Sequence, residues 1–355
     1  MTTQKLPKVF IVGESGTTGL RLHDRLISRS DIELLSLPDE KRKDIPTIVE
    51  YAKNADLMFL CLPDDASREI VKATEGTGIR ILDTSTAHRT KEDWVYGFPE
   101  LSSEQYKAIS QAEKVAVPGC HASGAISILY PLVHAGILPI NYPLHIVSLT
   151  GYSGGGKKMI KEYEEEKTLP LASPRQYGLS QKHKHLPEIM KVCKLCETPL
   201  FSPIVADYYA GMEVTVGFHT GFLQLPCGLP GDITLEDFHA IFEKQYKDSK
   251  FIKVSPLSTE ETNALFLAAN ENAGKDSMTL YITGNDERIE VVSMFDNLGK
   301  GASGAAIECM NIMLGLPPET GLVVVPEGDP AGWSCTRWQH RRRVWGGYQT
   351  WIRPP

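Results

Sequence analysis

Short apolar runs alternate with helix-compatible segments along the first 120 residues. The runs lack a polar–apolar alternation, which predicts strands buried on both faces, at 8–13, 32–37, 57–62, 79–82 and 115–117. The intervening segments predict helices at 16–28 and 45–53, and a third helix that the acidic pair 64–65 can cap and that ends near 74. This succession predicts an α/β fold with a Rossmann-like, doubly wound parallel sheet.

The pattern changes after about residue 140. Longer β-rich runs predict strands at 144–150, 212–225, 278–282 and 289–295, and a clear helix is predicted at 235–246. These elements indicate a second, α+β domain with an antiparallel or mixed sheet. A further helix is predicted at 302–314.

Composition and charge narrow the class of protein. The 355 residues carry a formal net charge of −7, with 42% hydrophobic and 23% charged residues, which is typical of a globular chain and argues against a general nucleic-acid binder. No apolar run approaches the roughly 20 residues that span a bilayer, and no signal peptide is expected. The seven cysteines have irregular spacing, which favours a reducing, cytoplasmic compartment.

A glycine-rich loop joins the first predicted strand to the first predicted helix. Gly13 allows a tight turn, Gly16 allows the backbone to approach a pyrophosphate, and Gly19 allows close packing of helix on sheet. Ser15 stands where the usual dinucleotide fingerprint has its second glycine. The predicted cofactor-binding residues of the loop are Gly13, Ser15, Gly16, Thr17, Thr18 and Gly19.

The choice of nicotinamide cofactor rests on the end of the second predicted strand. Asp39 lies about 20 residues beyond the loop, where an acid that binds a ribose hydroxyl favours NAD. Ser36 and the basic run 41–43, which includes Arg42, instead suit a 2′-phosphate. We predict NADP, with Ser36 and Arg42 as ligands.

Cys120 follows Pro118 and Gly119, where a predicted strand stops and a run of small residues begins. A cysteine at the start of a helix meets unpaired backbone N–H groups and the positive end of the helix dipole, which favour a thiolate. The position is compatible with a nucleophile and equally with a buried structural cysteine.

Three other segments carry candidate site residues. His183 and His185 precede Pro187 on a loop that leads into a helix, and a loop histidine suits acid/base chemistry near neutral pH. Ser153 and Lys157, in the glycine-rich stretch 151–158, suit a phosphate or carboxylate. Arg89, after the strand at 79–82, could bind a substrate carboxylate in a bidentate manner. We predict no metal site.

Seven motifs in one order make the pattern specific. They lie at 13–19, 85–89, 96–100, 118–120, 151–157, 183–188 and 297–304, within residues 7–318. Together they resemble the N-acetyl-γ-glutamyl-phosphate reductases, more closely the shorter, second type of that family, which is related to the aspartate-semialdehyde dehydrogenases. Val117 and His121 depart from the residues that many relatives have on either side of the Pro-Gly-Cys triplet. The segment 321–355 matches nothing in the family.

The resemblance implies a fold, a reaction and an assembly. The second domain would be of the glyceraldehyde-3-phosphate-dehydrogenase-like type. The domains would comprise residues 1–119 with 298–320 for NADP, and 120–297 for catalysis and oligomerisation, while 321–355 is an anomalous tail. The reaction would be the NADPH-dependent reduction of N-acetylglutamyl 5-phosphate to the semialdehyde in arginine biosynthesis. A homodimer or homotetramer is expected.

The resemblance also implies residue roles. Cys120 would be the nucleophile, and either His183 or His185 the acid/base group. Tyr177 would lie near the substrate, and Asn297, Gly301 and Gly304 belong to the segment expected to contact the cofactor. Alternative functions are an aspartate-semialdehyde or aminoadipyl-phosphate reductase and, outside enzymes, a dinucleotide-binding sensor that would not need Cys120.

Overall fold

The computed structural model describes residues 5–14, 16–225, 232–257 and 266–324. Its first sheet has the strand order β2-β1-β3-β4-β6-β5 with every pair parallel, which confirms the Rossmann-like prediction. The strands are β1 (Lys8–Val12), β2 (Glu33–Leu35), β3 (Leu57–Leu60), β4 (Arg80–Asp83), β5 (Val95–Tyr96) and β6 (Lys114–Ala116). The connecting helices are α1 (Thr17–Leu26), α2 (Ile45–Asn54), α3 (Asp64–Ala73) and α4 (Ser103–Gln111).

The start of α3 differs from the prediction. Pro63 occupies the N-cap position, and no side chain caps the helix. The Asp64 carboxylate instead accepts hydrogen bonds from the backbone N–H and hydroxyl of Thr86. The expected capping role was therefore wrong, because Asp64 is used to hold the loop that follows β4.

The second sheet is mixed, with the order β11-β12-β13-β10-β7-β9-β8. Two of its pairs, β7 with β9 and β11 with β12, are parallel, and the others are antiparallel. Its strands are β7 (His145–Gly151), β8 (Arg175–Gln176), β9 (Leu200–Ala206), β10 (Met212–His219), β11 (Ile252–Val254), β12 (Met278–Asn285) and β13 (Arg288–Phe295). Its helices are α5 (Cys120–His134), α6 (Gly156–Glu164), α7 (Leu186–Cys193) and α8 (Leu235–Tyr246).

Helix α5 joins the two sheets and is buried along most of its length. It packs directly on β10, where a Cβ at Gly124 would come within 2.4 Å of the Val214 side chain. Residues of α5, α7 and α8 share one apolar core with the inward face of the second sheet. The position of Cys120, the first residue of α5, is therefore fixed by a large buried interface.

The chain returns to the first sheet at its end. A π-helical turn at Gly299–Ser303 leads into α9 (Gly304–Met313). The apolar residues of α9 join β1, β3 and β4 in a second core cluster. Within the described ranges, no helix is long and apolar enough to cross a membrane.

Candidate active site

A cavity of about 320 Å³ lies where the carboxyl ends of β4 and β6 face the end of β7. This is the edge of a parallel sheet at which ligands of α/β proteins bind. Eight residues predicted from the sequence line the cavity: Thr18, Arg89, Cys120, Tyr177, His183, His185, Asn297 and Gly301. The fold thus brings together segments that are far apart in the sequence.

Cys120 begins α5, and Gly119 is the N-cap, without a side-chain cap bond. Burial raises the pKa of the Cys120 thiol, although the backbone N–H of His121 and the charges of Arg89 and Lys184 lower it. Burial therefore opposes the thiolate that a helix start favours, and a neighbouring base that accepts the thiol proton would offset this cost.

Of the two histidines predicted for acid/base chemistry, His185 is the one that lies beside the sulfur. The Cys120 sulfur and one ring nitrogen from each of His121 and His185 lie within 4.8 Å of one another. His185 is buried, and its Nδ1 has no hydrogen-bond partner among the described residues. Burial lowers its pKa well below 6.5, with further lowering by Arg89 and by the neighbouring histidines and lysine. A neutral imidazole with an unused nitrogen can accept the thiol proton.

His183 occupies a different environment. It is partly exposed, and its Nδ1 accepts a hydrogen bond of 3.3 Å from the backbone N–H of His185. Burial lowers its pKa to about 4, helped by the charge of Lys184. His183 lines the cavity, but one of its nitrogens already holds the loop in place.

Arg89 lines the cavity while holding a carboxylate of the protein itself. Its Nη1 donates to Glu188 Oε1 at 2.8 Å, and its Nε donates to the Val117 carbonyl at 2.9 Å. The other oxygen of Glu188 accepts from the Tyr96 hydroxyl at 2.7 Å and from the Gly119 N–H at 3.2 Å. Glu188 thereby ties α7 to the loop that carries Cys120.

Glycine is required at position 119 by this packing. A Cβ there would lie 2.3 Å from His185 Nε2 and 2.4 Å from Arg89 Nη1. Any side chain would displace both groups from the cysteine. The glycine of the Pro-Gly-Cys triplet therefore has a steric reason, since its backbone is extended and open to any residue.

His121 and Lys184 are site residues that the candidate list missed. The His121 ring is buried, with Nδ1 2.7 Å from Ser148 Oγ and Nε2 2.7 Å from the Tyr177 hydroxyl. Lys184 lies between the two predicted histidines, and it also lines the cavity. Position in the motif was the available signal: one residue follows Cys120, and the other separates His183 from His185.

The glycine-rich segment after β7 contributes mainly backbone to the cavity. Gly154 and Gly155 line it, whereas Ser153 is buried behind them and its hydroxyl accepts a hydrogen bond of 3.1 Å from Asn297 Nδ2. Lys157 is exposed on α6 and does not line the cavity. The roles predicted for Ser153 and Lys157 stay predictions.

The dinucleotide loop has the geometry that its glycines predict. Gly13 has φ of +94°, and a Cβ there would lie 2.4 Å from the Cys61 carbonyl oxygen. A Cβ at Gly19 would lie 2.2 Å from the Gly13 oxygen, so α1 packs against the turn itself. Gly16 is the N-cap of α1 without a side-chain cap bond, and Thr17 begins the helix. Ser15 lies outside the described residues.

The other predicted cofactor ligands fall into two groups. Ser36 is exposed at the end of β2, and Arg42 forms ion pairs with Asp39 at 2.7 Å and with Glu14 at 3.8 Å. In the π-helical segment, a Cβ at Gly301 would lie 2.9 Å from Cys120 Cβ, so glycine lets this segment reach the cysteine. Gly304 packs on Asp276, where a Cβ would lie 2.3 Å from Oδ1.

Family models match both parts of the chain. Residues 8–109 match a semialdehyde dehydrogenase NAD binding domain, and residues 120–297 match a semialdehyde dehydrogenase dimerisation domain. Solved structures show the same fold: aspartate semialdehyde dehydrogenase II from Vibrio cholerae has 15% identity and a TM-score of 0.66 over 88% of this chain and 99% of its own. The family matches place the chain in the semialdehyde dehydrogenase family, with a nicotinamide-dinucleotide-binding domain.

Curated relatives narrow the class further. A protein of Brucella anthropi named N-acetyl-gamma-glutamyl-phosphate reductase is 44% identical over 87% of this chain and 99% of its own length. One of Brucella ovis with the same name is 42% identical over the same shares. The chain belongs to the N-acetyl-gamma-glutamyl-phosphate reductase family.

Proposed function

We propose that this chain catalyses the NADPH-dependent reduction of N-acetyl-L-glutamyl 5-phosphate to N-acetyl-L-glutamate 5-semialdehyde, with release of phosphate, as a step of arginine biosynthesis. The observation that carries the proposal is the placement of Cys120 beside His185 in one cavity with Thr18 and Gly301. Thr18 belongs to the dinucleotide loop, so a cofactor bound there and the sulfur share one cleft. The names of the relatives at 42–44% identity support the choice of substrate.

The residues present fit a nicotinamide dinucleotide. The uncapped start of α1 leaves backbone N–H groups free for a pyrophosphate, and the Gly13 turn keeps the approach clear. When bound, the cofactor supplies the hydride. Ser36 and Arg42 would hold a 2′-phosphate, and the segment that contains Asn297 and Gly301 would lie against the nicotinamide end.

The first half of the reaction is acyl transfer to sulfur. His185 takes the proton from the Cys120 thiol, and the sulfur attacks the acyl carbon. The bond from that carbon to the phosphate oxygen breaks, and phosphate leaves. Because the thiol pKa is raised and the imidazole pKa is lowered, the pair rests uncharged and the proton moves only during attack.

The second half releases the aldehyde. With the hydride that a bound cofactor would supply to the thioester carbon, the carbon–sulfur bond would break, and His185 would return its proton to the sulfur. Lys184 is exposed and lines the cavity, and its cationic side chain suits the phosphate of the substrate. Arg89 contributes positive potential at the cysteine while it holds Glu188.

The first test is the reverse reaction. Semialdehyde, phosphate and NADP are supplied, and NADPH is followed by its absorbance, for wild type and Cys120→Ser. We expect phosphate-dependent NADPH formation that is lost in the variant. Activity with aspartate semialdehyde instead would contradict the proposed substrate. Turnover that survives in Cys120→Ser would remove the cysteine from its role.

The roles of His183 and His185 can be distinguished in the same assay. We expect His185→Gln to lower kcat by roughly 10²–10⁴-fold, the usual contribution of general acid/base catalysis, and His183→Gln to have a smaller effect. The reason is that His185 lies within 4.8 Å of the sulfur, whereas His183 holds the loop. The opposite ranking would assign the acid/base role to His183.

The proposed assembly is a homodimer or a larger oligomer formed through the second sheet. Its inward residues pack on the helices, while the alternate residues Val147, Leu149, Thr215 and Tyr281 are partly exposed. The dimerisation-domain model covers this sheet. Light scattering of the purified protein tests the proposal, and a monomer at micromolar concentration would contradict it.

A further inference from the structure

Ser148, His121 and Tyr177 form a continuous row of hydrogen-bonding side chains that ends at the cavity. Ser148 on β7 and His121 on α5 are 0% and 3% exposed. Each contact in the row, from hydroxyl to Nδ1 and from Nε2 to hydroxyl, measures 2.7 Å. The ring of Phe201 packs against the His121 ring in a T-shaped arrangement, with the ring centroids 5.4 Å apart. This contact helps to fix the orientation of the His121 ring.

The burial of Ser148 sets the direction of the row. Its hydroxyl has one proton to donate, and in the described part of the chain its side chain bonds only to His121 Nδ1. A buried donor without an acceptor is costly, whereas an unused lone pair on a hydroxyl oxygen is tolerated more easily. The Ser148 hydroxyl therefore donates, and His121 Nδ1 accepts.

The tautomer of His121 follows from that direction. Burial lowers the pKa of His121 to about 3, so the ring is neutral and carries a single proton. With Nδ1 accepting, the proton is on Nε2, which donates to the Tyr177 oxygen. The Tyr177 proton is then not used within the row, and it is available on the cavity side.

The opposite direction would change what Tyr177 can do. If Nδ1 carried the proton, the Tyr177 hydroxyl would have to donate its proton to His121 Nε2. Tyr177 could then offer a ligand in the cavity only an acceptor. The buried Ser148 proton would also lose its acceptor. The direction of the hydrogen bonds in the row therefore decides whether the Tyr177 hydroxyl can donate to a ligand.

We propose that Ser148 and His121 are positioning residues that hold the Tyr177 hydroxyl as a hydrogen-bond donor to the acyl oxygen at the carbon attacked by Cys120. This inference rests on the proposed function, because it assigns the oxygen within that substrate. Tyr177 suits the role, since its pKa is raised by burial and by the nearby Cys120, which keeps the phenol protonated. His121 acts only through Tyr177.

The tautomer can be measured without substrate. Nitrogen-15 NMR of histidine-labelled protein, with the His121 signals assigned by His121→Asn, is expected to show an unprotonated Nδ1 and a protonated Nε2. The reverse tautomer would overturn the proposal. If the wild type turned over no acyl phosphate or semialdehyde, the proposed function would fail while this measurement still decided the direction of the row.

The catalytic consequence is tested by a double-mutant cycle of Tyr177→Phe and Ser148→Ala. We expect Tyr177→Phe to lower kcat by roughly 10–100-fold with little change in KM, somewhat below the effect of losing an oxyanion-hole donor. Ser148→Ala is expected to lower kcat by less. The double variant should match Tyr177→Phe alone, because serine acts through tyrosine.

Ser127→Ala is the matched control. Ser127 is likewise a fully buried serine, and its hydroxyl donates to the Gly124 carbonyl away from the cavity, so kcat should be unchanged. The proposal would be overturned if the losses in kcat of the two single variants multiplied in the double variant. It would also be overturned if Tyr177→Phe raised only KM or had wild-type kinetics.

Discussion

The residues around the cysteine and those at the end of β2 are held in opposite ways. The first group, the cysteine wall, consists of Arg89, Cys120, His121, His185 and Glu188, and all but Cys120 are buried. The second group, the outer edge, is Ser36 and Arg42, which are exposed. The positions of the cysteine wall are therefore dictated by the fold, whereas the outer edge can change with little structural consequence.

The largest effect is expected from Glu188→Ala. The substitution leaves the buried Arg89 guanidinium, the Tyr96 hydroxyl and the Gly119 N–H without their acceptor. Removing one partner of a buried ion pair costs about 3–5 kcal/mol, so we expect a loss of that size in the free energy of unfolding, together with loss of turnover. Urea unfolding measures it. Glu197→Ala, an exposed residue just beyond α7, is the control, and equal stabilities would refute the buried role.

A smaller effect on the free energy of unfolding is expected from a decrease in pH. The folded-state pKa values of His121 and His183 are about 3 and about 4, and that of His185 is well below 6.5. In the unfolded chain these side chains titrate near pH 6.5, so below that pH the unfolded state binds more protons. Stability is therefore complete above pH 6.5 and falls as the pH decreases.

Urea midpoints across this range test the histidine prediction. His121→Asn should flatten the dependence on pH, whereas replacement of the exposed His134 should leave it unchanged. A midpoint that stays constant between about pH 7 and pH 5 would show that these rings bind protons equally in the folded and the unfolded protein.

The smallest effect on stability is expected from Arg42→Ala, which should change only the preference for the cofactor. The ion pair of Arg42 with Asp39 is exposed, and such pairs contribute about 0–1 kcal/mol, so the unfolding free energy should hardly change. We expect the preference for NADP over NAD, as a ratio of kcat/KM, to fall by roughly tenfold, which is the loss of one charged contact. Arg68→Ala removes a similar exposed pair with Asp65 and is the matched control. An unchanged preference would move 2′-phosphate recognition to other residues.

Buried elements with strong local patterns were predictable from the sequence. The apolar strands of the first sheet and helix α8 occur where the pattern placed them. Strand β9 (Leu200–Ala206) was missed because Pro203 interrupts its apolar run, and proline usually argues against a strand inside a sheet. Helix α6 was missed because its glycine-rich beginning indicated a loop.

The composition of the cavity was predictable where chemistry and position in a motif coincide, as for Cys120, His183 and His185, although the sequence left the choice between the histidines open. It was not predictable where a role depends on a distant partner. Glu188 lies within a quoted motif, yet its function follows from Arg89, 99 residues earlier in the chain. His121 gains its role from Ser148 and Tyr177, and only the packing of α5 on the second sheet brings the three together.

The return of α9 to the first sheet has a consequence for synthesis on the ribosome. The core beneath β1, β3 and β4 is completed by Ala305, Ile307 and Met310, which emerge after the whole second sheet. The amino-terminal sheet therefore keeps an apolar face uncovered until almost all of the described chain has been made. Nascent chains that stop at residue 303 should remain sensitive to protease in the first sheet, and chains that include α9 should become resistant.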